Sequence, residues 1–115
     1  MKFAMVIVKS DEAEVPGPGE REFEDLVRWW ADLRAGGNVV ASARLAPRNT
    51  ARTVSWRDRE PIVTDGPYLE AKETVGGFLV VDVESDAEAL EIAKGWPARD
   101  GWRIEVRPVA EPWNG

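Results

Sequence analysis

Two segments of this chain, Phe3–Val8 and Phe78–Val83, are apolar on both of their alternating faces, and nothing else in the sequence restricts the fold as much. Successive side chains of a strand point to opposite sides, so Phe3, Met5 and Ile7 face one way and Ala4, Val6 and Val8 the other. Phe78–Val83 repeats the pattern with Asp82 as its exception. Strands of this kind belong in the middle of a sheet covered on both sides. Only two segments have the periodicity of covering helices. Glu20–Ala35 carries Phe23, Leu26, Val27, Trp30 and Leu33 on one stripe, with Trp29 at its edge and Glu22, Asp25, Arg28 and Asp32 opposite. Ser85-Asp86-Ala87-Glu88 is a capping box that opens a second helix through Ala89, Ile92, Ala93 and Trp96, which Pro97 stops.

The remaining elements follow in order. Lys2–Val8 is the first strand, and Ser10–Gly19 a polar loop. Val39–Leu45 is a second strand, with Val40, Ser42 and Arg44 on one face and Val39, Ala41, Ala43 and Leu45 on the other. Thr53–Trp56 and Pro61–Thr64 form a hairpin around Arg57-Asp58-Arg59-Glu60, although the tight Asp-Gly pair is missing. Asp65-Gly66-Pro67 breaks the chain, Tyr68–Glu73 has room for one helical turn, and Gly76-Gly77 precedes the strand at Phe78. In the last strand Trp102, Ile104 and Val106 alternate with Arg103, Glu105 and Arg107. This order predicts one domain over residues 1–110 with a tail at 111–115. Its class is α+β, a ferredoxin-like sandwich with an inserted β-hairpin. Two helices cover one face of such a sheet. A second copy of the chain is the simplest cover for the other, so a homodimer is expected.

Composition removes several chemistries. With no histidine and no cysteine, a Ser-His-Asp triad, a cysteine nucleophile, a disulfide and a thiolate or imidazole metal site are all impossible. No metal or other cofactor is expected. The net charge is −6, and the eleven arginines and four lysines are dispersed, which disfavours nucleic acid and anionic membranes as partners. The apolar run Phe3–Val8 is too short to cross a bilayer and lacks a signal-peptide pattern, so the expected compartment is the cytoplasm.

Thr64–Phe78, TDGPYLEAKETVGGF, resembles the signature of the DGPF-type proteins of the YCII-related superfamily, and Arg44-Leu45-Ala46-Pro47 and Ile104-Glu105-Val106-Arg107-Pro108 fit it too. The resemblance spans nearly the whole chain. It implies a dimeric α+β barrel in which two ferredoxin-like sheets pack face to face. Tyr68 stands where the family usually has Phe, and the hairpin lacks the family's Asp-Gly turn. Some members carry a His-Asp pair proposed to be catalytic; a chain without histidine cannot inherit that chemistry. The frequent company of extracytoplasmic-function sigma factors implies a regulatory setting.

The candidate site residues have competing roles. Asp65 is either a turn former or a carboxylate at the mouth of a cleft, acting as base or ligand group. Lys72 and Glu73 are either solvated residues of a helical turn or an anion-binding amine and a proton-handling carboxylate. Arg44 reaches solvent from an edge strand, or is buried between subunits and meets Asp65, Glu73 or an anionic ligand. Together with Tyr68 these residues form the expected site, with Asp65 and Glu73 as candidate catalytic groups and Arg44, Tyr68 and Lys72 as candidate ligand-binding ones. Gly76-Gly77 is either an anion-binding nest or a bulge or site of close packing. Of the six tryptophans, Trp30 and Trp96 belong to the core; Trp29, Trp56 and Trp102 have a pocket or an interface as the alternative to it. Two functions follow: a dimer that binds, or transforms, a small organic molecule in a polar cleft, and a non-catalytic regulatory module.

Overall fold

A computed structural model describes residues 1–10, 20–66, 73–97 and 101–110. At its centre β1 (Lys2–Ser10) pairs on one side with β5 (Glu73–Asp82) and on the other with β6 (Trp102–Pro108). β2 (Val39–Arg44) adds an edge beside β5, giving a four-stranded antiparallel sheet in the order β2-β5-β1-β6. The strands that are apolar on both faces are therefore the two inner ones, and the fold is the expected ferredoxin-like α+β sandwich. β3 (Arg52–Arg57) and β4 (Glu60–Asp65) form a separate two-stranded ribbon, inserted between β2 and β5.

Helices α1 (Glu20–Ala35) and α2 (Asp86–Lys94) cover one face. Phe3, Met5, Ile7, Leu79, Val81, Val83 and Ala89 are buried there, and Trp29, Trp30, Leu33, Ile92 and Trp96 pack against them. The cap of α2 is as the sequence predicts. The Ser85 hydroxyl accepts from the Glu88 amide at 3.3 Å, and the Glu88 carboxylate accepts from the Glu84 amide at 3.1 Å. In α1 the inward arc is rotated from the expected stripe: Trp29 packs on the core and Val27 is exposed. An arc centred on Leu26, Trp30 and Leu33 has room for one flank, and the indole buries more apolar area than a valine. Trp29 also meets Trp30 and Trp96 edge to face at 5.3 and 5.1 Å. Trp102 joins through Trp96 at 6.2 Å, so both belong to the core rather than to a pocket.

β5 begins five residues earlier than the sequence suggests. Glu73 is a strand residue, not part of a helical turn; Tyr68–Lys72 lie outside the described residues, as do the loop 11–19 and the tail 111–115. The Gly76-Gly77 pair does not end the strand. The ladder with β1 is irregular between Ile7 and Val8, where Gly76 forms the bulge. Gly77 admits β2: a Cβ there would lie 2.8 Å from the Ala43 carbonyl oxygen.

The hairpin turns on Asp58 and Arg59, both left-handed at φ 51° and 69°. That is the geometry of a two-residue type I′ turn, built without glycine, which explains why the sequence signal is weak. A non-glycine residue there costs about 1–2 kcal/mol. Arg59→Gly will therefore stabilise the ribbon by about 1 kcal/mol, read as roughly fivefold slower amide exchange in β3 and β4.

The second face of the main sheet is different. Register places Ala4, Val6 and Val8 of β1, Val75, Phe78 and Val80 of β5, and Ala41 and Ala43 of β2 on it. Arg103, Glu105 and Arg107 of β6 flank them. No described helix packs there; Phe78 is 38% exposed and Val75 44%, whereas Val8, between Val75 and Arg103, is buried. The shortest dimension of the chain is 19 Å, about one helix layer on one sheet.

Candidate functional site

The segment joining β2 to β3 builds the wall of a cleft. Pro47 starts a short 3₁₀ helix, Arg48–Thr50. Its carbonyl accepts from the Thr50 hydroxyl at 2.6 Å and the Thr50 amide at 2.9 Å. The Leu45 amide donates to the Gly76 carbonyl at 3.0 Å, tying this segment to β5. Between them Leu45, Ala46, Pro47, Arg48, Thr50 and Ala51 face Glu73, Thr74 and Val75 across a space of about 350 Å³. That volume is within the range of small-molecule pockets. Its lining is mainly apolar, with Arg48, Thr50, Glu73 and Thr74 as the polar members.

Of the candidate residues that are described, Arg44, Asp65 and Glu73, only Glu73 lines this cleft. It forms a two-pronged ion pair with Arg103, and the same guanidinium reaches Glu105 at 3.5 Å. The hydrogen bonds from Arg103 hold the Glu73 carboxyl below its ordinary 4.5, with desolvation opposing and the charge of Arg103 assisting; the Arg103 pKa rises for the same reason. A carboxylate held ionised in this way is a charge partner, not a proton donor at neutral pH. A lowered native pKa stabilises the fold above the ordinary glutamate value, and that contribution is lost as the pH falls through the lower native one. Carboxyl NMR will therefore find Glu73 titrating below ordinary glutamates, and Arg103→Gln will return it towards 4.5.

Asp65 closes β4 with its side chain 98% exposed, 3.8 Å from Arg52 across the ribbon. Arg44 ends the edge strand β2 and is exposed. Its register partner is Gly77, so its strand face is the helix side and not the open one. Neither Asp65 nor Glu73 pairs with it; their partners are Arg52 and Arg103. Tyr68 and Lys72 lie outside the described residues. Among the described residues no group of acidic side chains is arranged to hold a metal ion, and no helix is long and apolar enough to cross a membrane.

Sequence reasoning overlooked the apolar wall, Leu45, Pro47 and Val75. The signal was present in Arg44-Leu45-Ala46-Pro47, of which only the charged residue stood out as a site candidate.

The YCII-related domain matches residues 1–114 of the chain. The chain belongs to the YCII-related family. A relative in Rhizobium meliloti (strain 1021), itself an uncharacterised protein, is 34% identical over 116 residues, 91% of this chain and 90% of the relative. In this YCII-related chain six of the nine described residues lining the cleft, Leu45, Ala46, Pro47, Glu73, Thr74 and Val75, come from the two stretches that carry the resemblance, 44–47 and 64–78.

Proposed function

We propose that the protein is a homodimer that pairs its open sheet faces and binds a small, largely apolar organic molecule in the cleft beneath Leu45–Ala51. The observation that carries this reading is the placement of the cleft. Its floor residues Glu73 and Val75 are, by register, residues of the open face. A second copy laid on that face would roof the cleft and remove it from water, and the site is incomplete without it. The ligand class follows from the lining: Leu45, Pro47 and Val75 suit an apolar body, and Arg48, Thr50 and Thr74 suit a polar end. The company of so few polar groups favours binding over acid-base chemistry.

A non-catalytic regulatory module, in the sigma-factor setting that the resemblance implies, is the second reading. It is favoured by Arg44 and Asp65, which stand apart in solvent instead of converging on the cleft. Native mass spectrometry of gently purified protein separates the two. A dimer with a reproducible organic adduct, lost in Ala46→Trp while the dimer persists, supports the binding site. A dimer without adduct, and with no thermal stabilisation by any member of a panel of small aromatic and aliphatic carboxylates and amides, favours the module.

A further inference from the structure

The β3–β4 ribbon is the least supported part of the fold. No described element packs on it beyond marginal touches. It is anchored at its base: the Gly66 amide donates to the Ala51 carbonyl at 2.7 Å, the Thr53 hydroxyl to the Gly66 carbonyl at 2.8 Å, and Arg52 pairs with Asp65. The radius of gyration, 16.2 Å, exceeds the value of about 13 Å for a compact chain of this length, in keeping with a ribbon that stands off the main sheet.

The ribbon is also one-sided. Register puts Val54 opposite Val63 and Trp56 opposite Pro61 on one face, and Thr53 opposite Thr64 and Ser55 opposite Ile62 on the other. On the apolar face Val54 is 48% exposed, Val63 64% and Trp56 69%. A lone two-stranded hairpin is marginal in water and needs packing to persist. A row of valines and a tryptophan has no reason to face solvent.

We propose that this ribbon is an arm that crosses to a second copy of the chain and lays its Val54–Trp56–Pro61–Val63 face against it. The inference rests on the homodimer reading above and adds the arm to it. Area selects the occupant. Four strands at about 4.8 Å spacing, over roughly seven residues of 3.4 Å, give a sheet face of about 450 Å² in projection. Two such faces give about 900 Å² in projection and somewhat more as accessible surface, which leaves sheet pairing alone at or below the lower end of the 1,200–2,000 Å² of a stable specific interface. Each ribbon face, about 10 by 20 Å, buries itself and an equal area of its acceptor, and two arms bring the total to about 1,700 Å². The departure point fits as well. β2 is an edge strand, and the ribbon starts eight residues after it, so the arm leaves the sheet at its margin. Closed two-fold symmetry then gives each copy one arm and one acceptor surface.

The chain has no cysteine, so Glu60→Cys creates a single thiol at the arm's tip. A nitroxide placed there, in unenriched chains mixed with thiol-free ¹⁵N wild-type chains, broadens ¹⁵N amides only across the subunit boundary. The arm predicts such broadening. It also predicts that the double variant Trp56→Ser/Val63→Ser raises the dimer dissociation constant at least tenfold, with an unchanged amide spectrum for the main sheet. A dimer with no intermolecular broadening, whose dissociation constant is unmoved by the double variant, overturns the arm and leaves the sheet pairing standing. A monomer at all concentrations overturns both.

Discussion

Leu79→Ala will lower the free energy of unfolding by about 2–5 kcal/mol, the largest single effect expected in this chain. Leu79 is completely buried. It sits on β5 between Met5 of β1 and Ser42 of β2, facing the helices. Removing its branched end costs the transfer free energy of the lost carbons and leaves a cavity. The neighbours have little freedom to close it. Met5 is itself fully buried, and the α1 layer is fixed by the edge-to-face contacts of Trp29 with Trp30 and Trp96. A small domain has about 5–15 kcal/mol in all, so much of the native population is at stake. Urea unfolding at fixed protein concentration reads the change; fixing the concentration matters because association adds to apparent stability. A loss under about 1 kcal/mol would mean that the core is not where Phe3, Met5, Leu79 and Val81 place it.

The second large effect comes from adding one carbon. Gly77→Ala would set a methyl group 2.8 Å from the Ala43 carbonyl oxygen and 3.6 Å from the Arg44 Cα. These are backbone atoms of the neighbouring strand, so the clash is relieved only by moving β2. Overpacking of this kind costs about 1–3 kcal/mol. The displacement has a local signature. The hydrogen bond from the Leu45 amide to the Gly76 carbonyl lies one residue beyond the clash, so the Leu45 amide will lose exchange protection before the amides of β1. Because Leu45 opens the wall of the cleft, the variant also distorts that wall, whereas Leu79→Ala, on the opposite side of the sheet, acts on the cleft only through global stability. Unchanged stability together with an unchanged Leu45 amide would contradict the close approach of β2 to β5.

What the sequence revealed follows from how local each signal is. The two-sided apolar strands, the capping box at Ser85 and the alternation through Trp102, Ile104 and Val106 depend on neighbours in the chain, and the structure keeps all of them. α1 starts and stops where its periodicity does. Errors arose where a distant partner decides. Gly76-Gly77 signals a bulge or close packing and the structure has both, yet the pair lies inside the strand, which runs on to Glu73 because β1 and β2 supply partners on either side. Trp29 displaces Val27 from the core because Trp96, on a remote segment, is there to meet it. The turn at Asp58-Arg59 has the conformation of a glycine turn without the residue that announces one.

The candidate site was harder to read, for a related reason. Charged residues attract attention in a sequence, but their partners are chosen across the sheet. Glu73 meets Arg103 on the far side of β1, and Asp65 meets Arg52 across the ribbon, so neither is available to Arg44. The cleft itself is made mainly of apolar residues whose enclosure depends on the fold of the Leu45–Ala51 segment.

In the proposed dimer the open face of the sheet accounts for both the cleft's roof and the two-sided strands. Sedimentation equilibrium of the wild type beside Phe78→Asp tests it most directly. Phe78 is on the open face and partly exposed, so a carboxylate there leaves the core intact and places unpaired charge in a dry interface. The account predicts twice the 12.8 kDa chain mass for the wild type at micromolar concentration and a folded monomer for the variant. A wild-type monomer, or a dimer that Phe78→Asp leaves untouched, would contradict it.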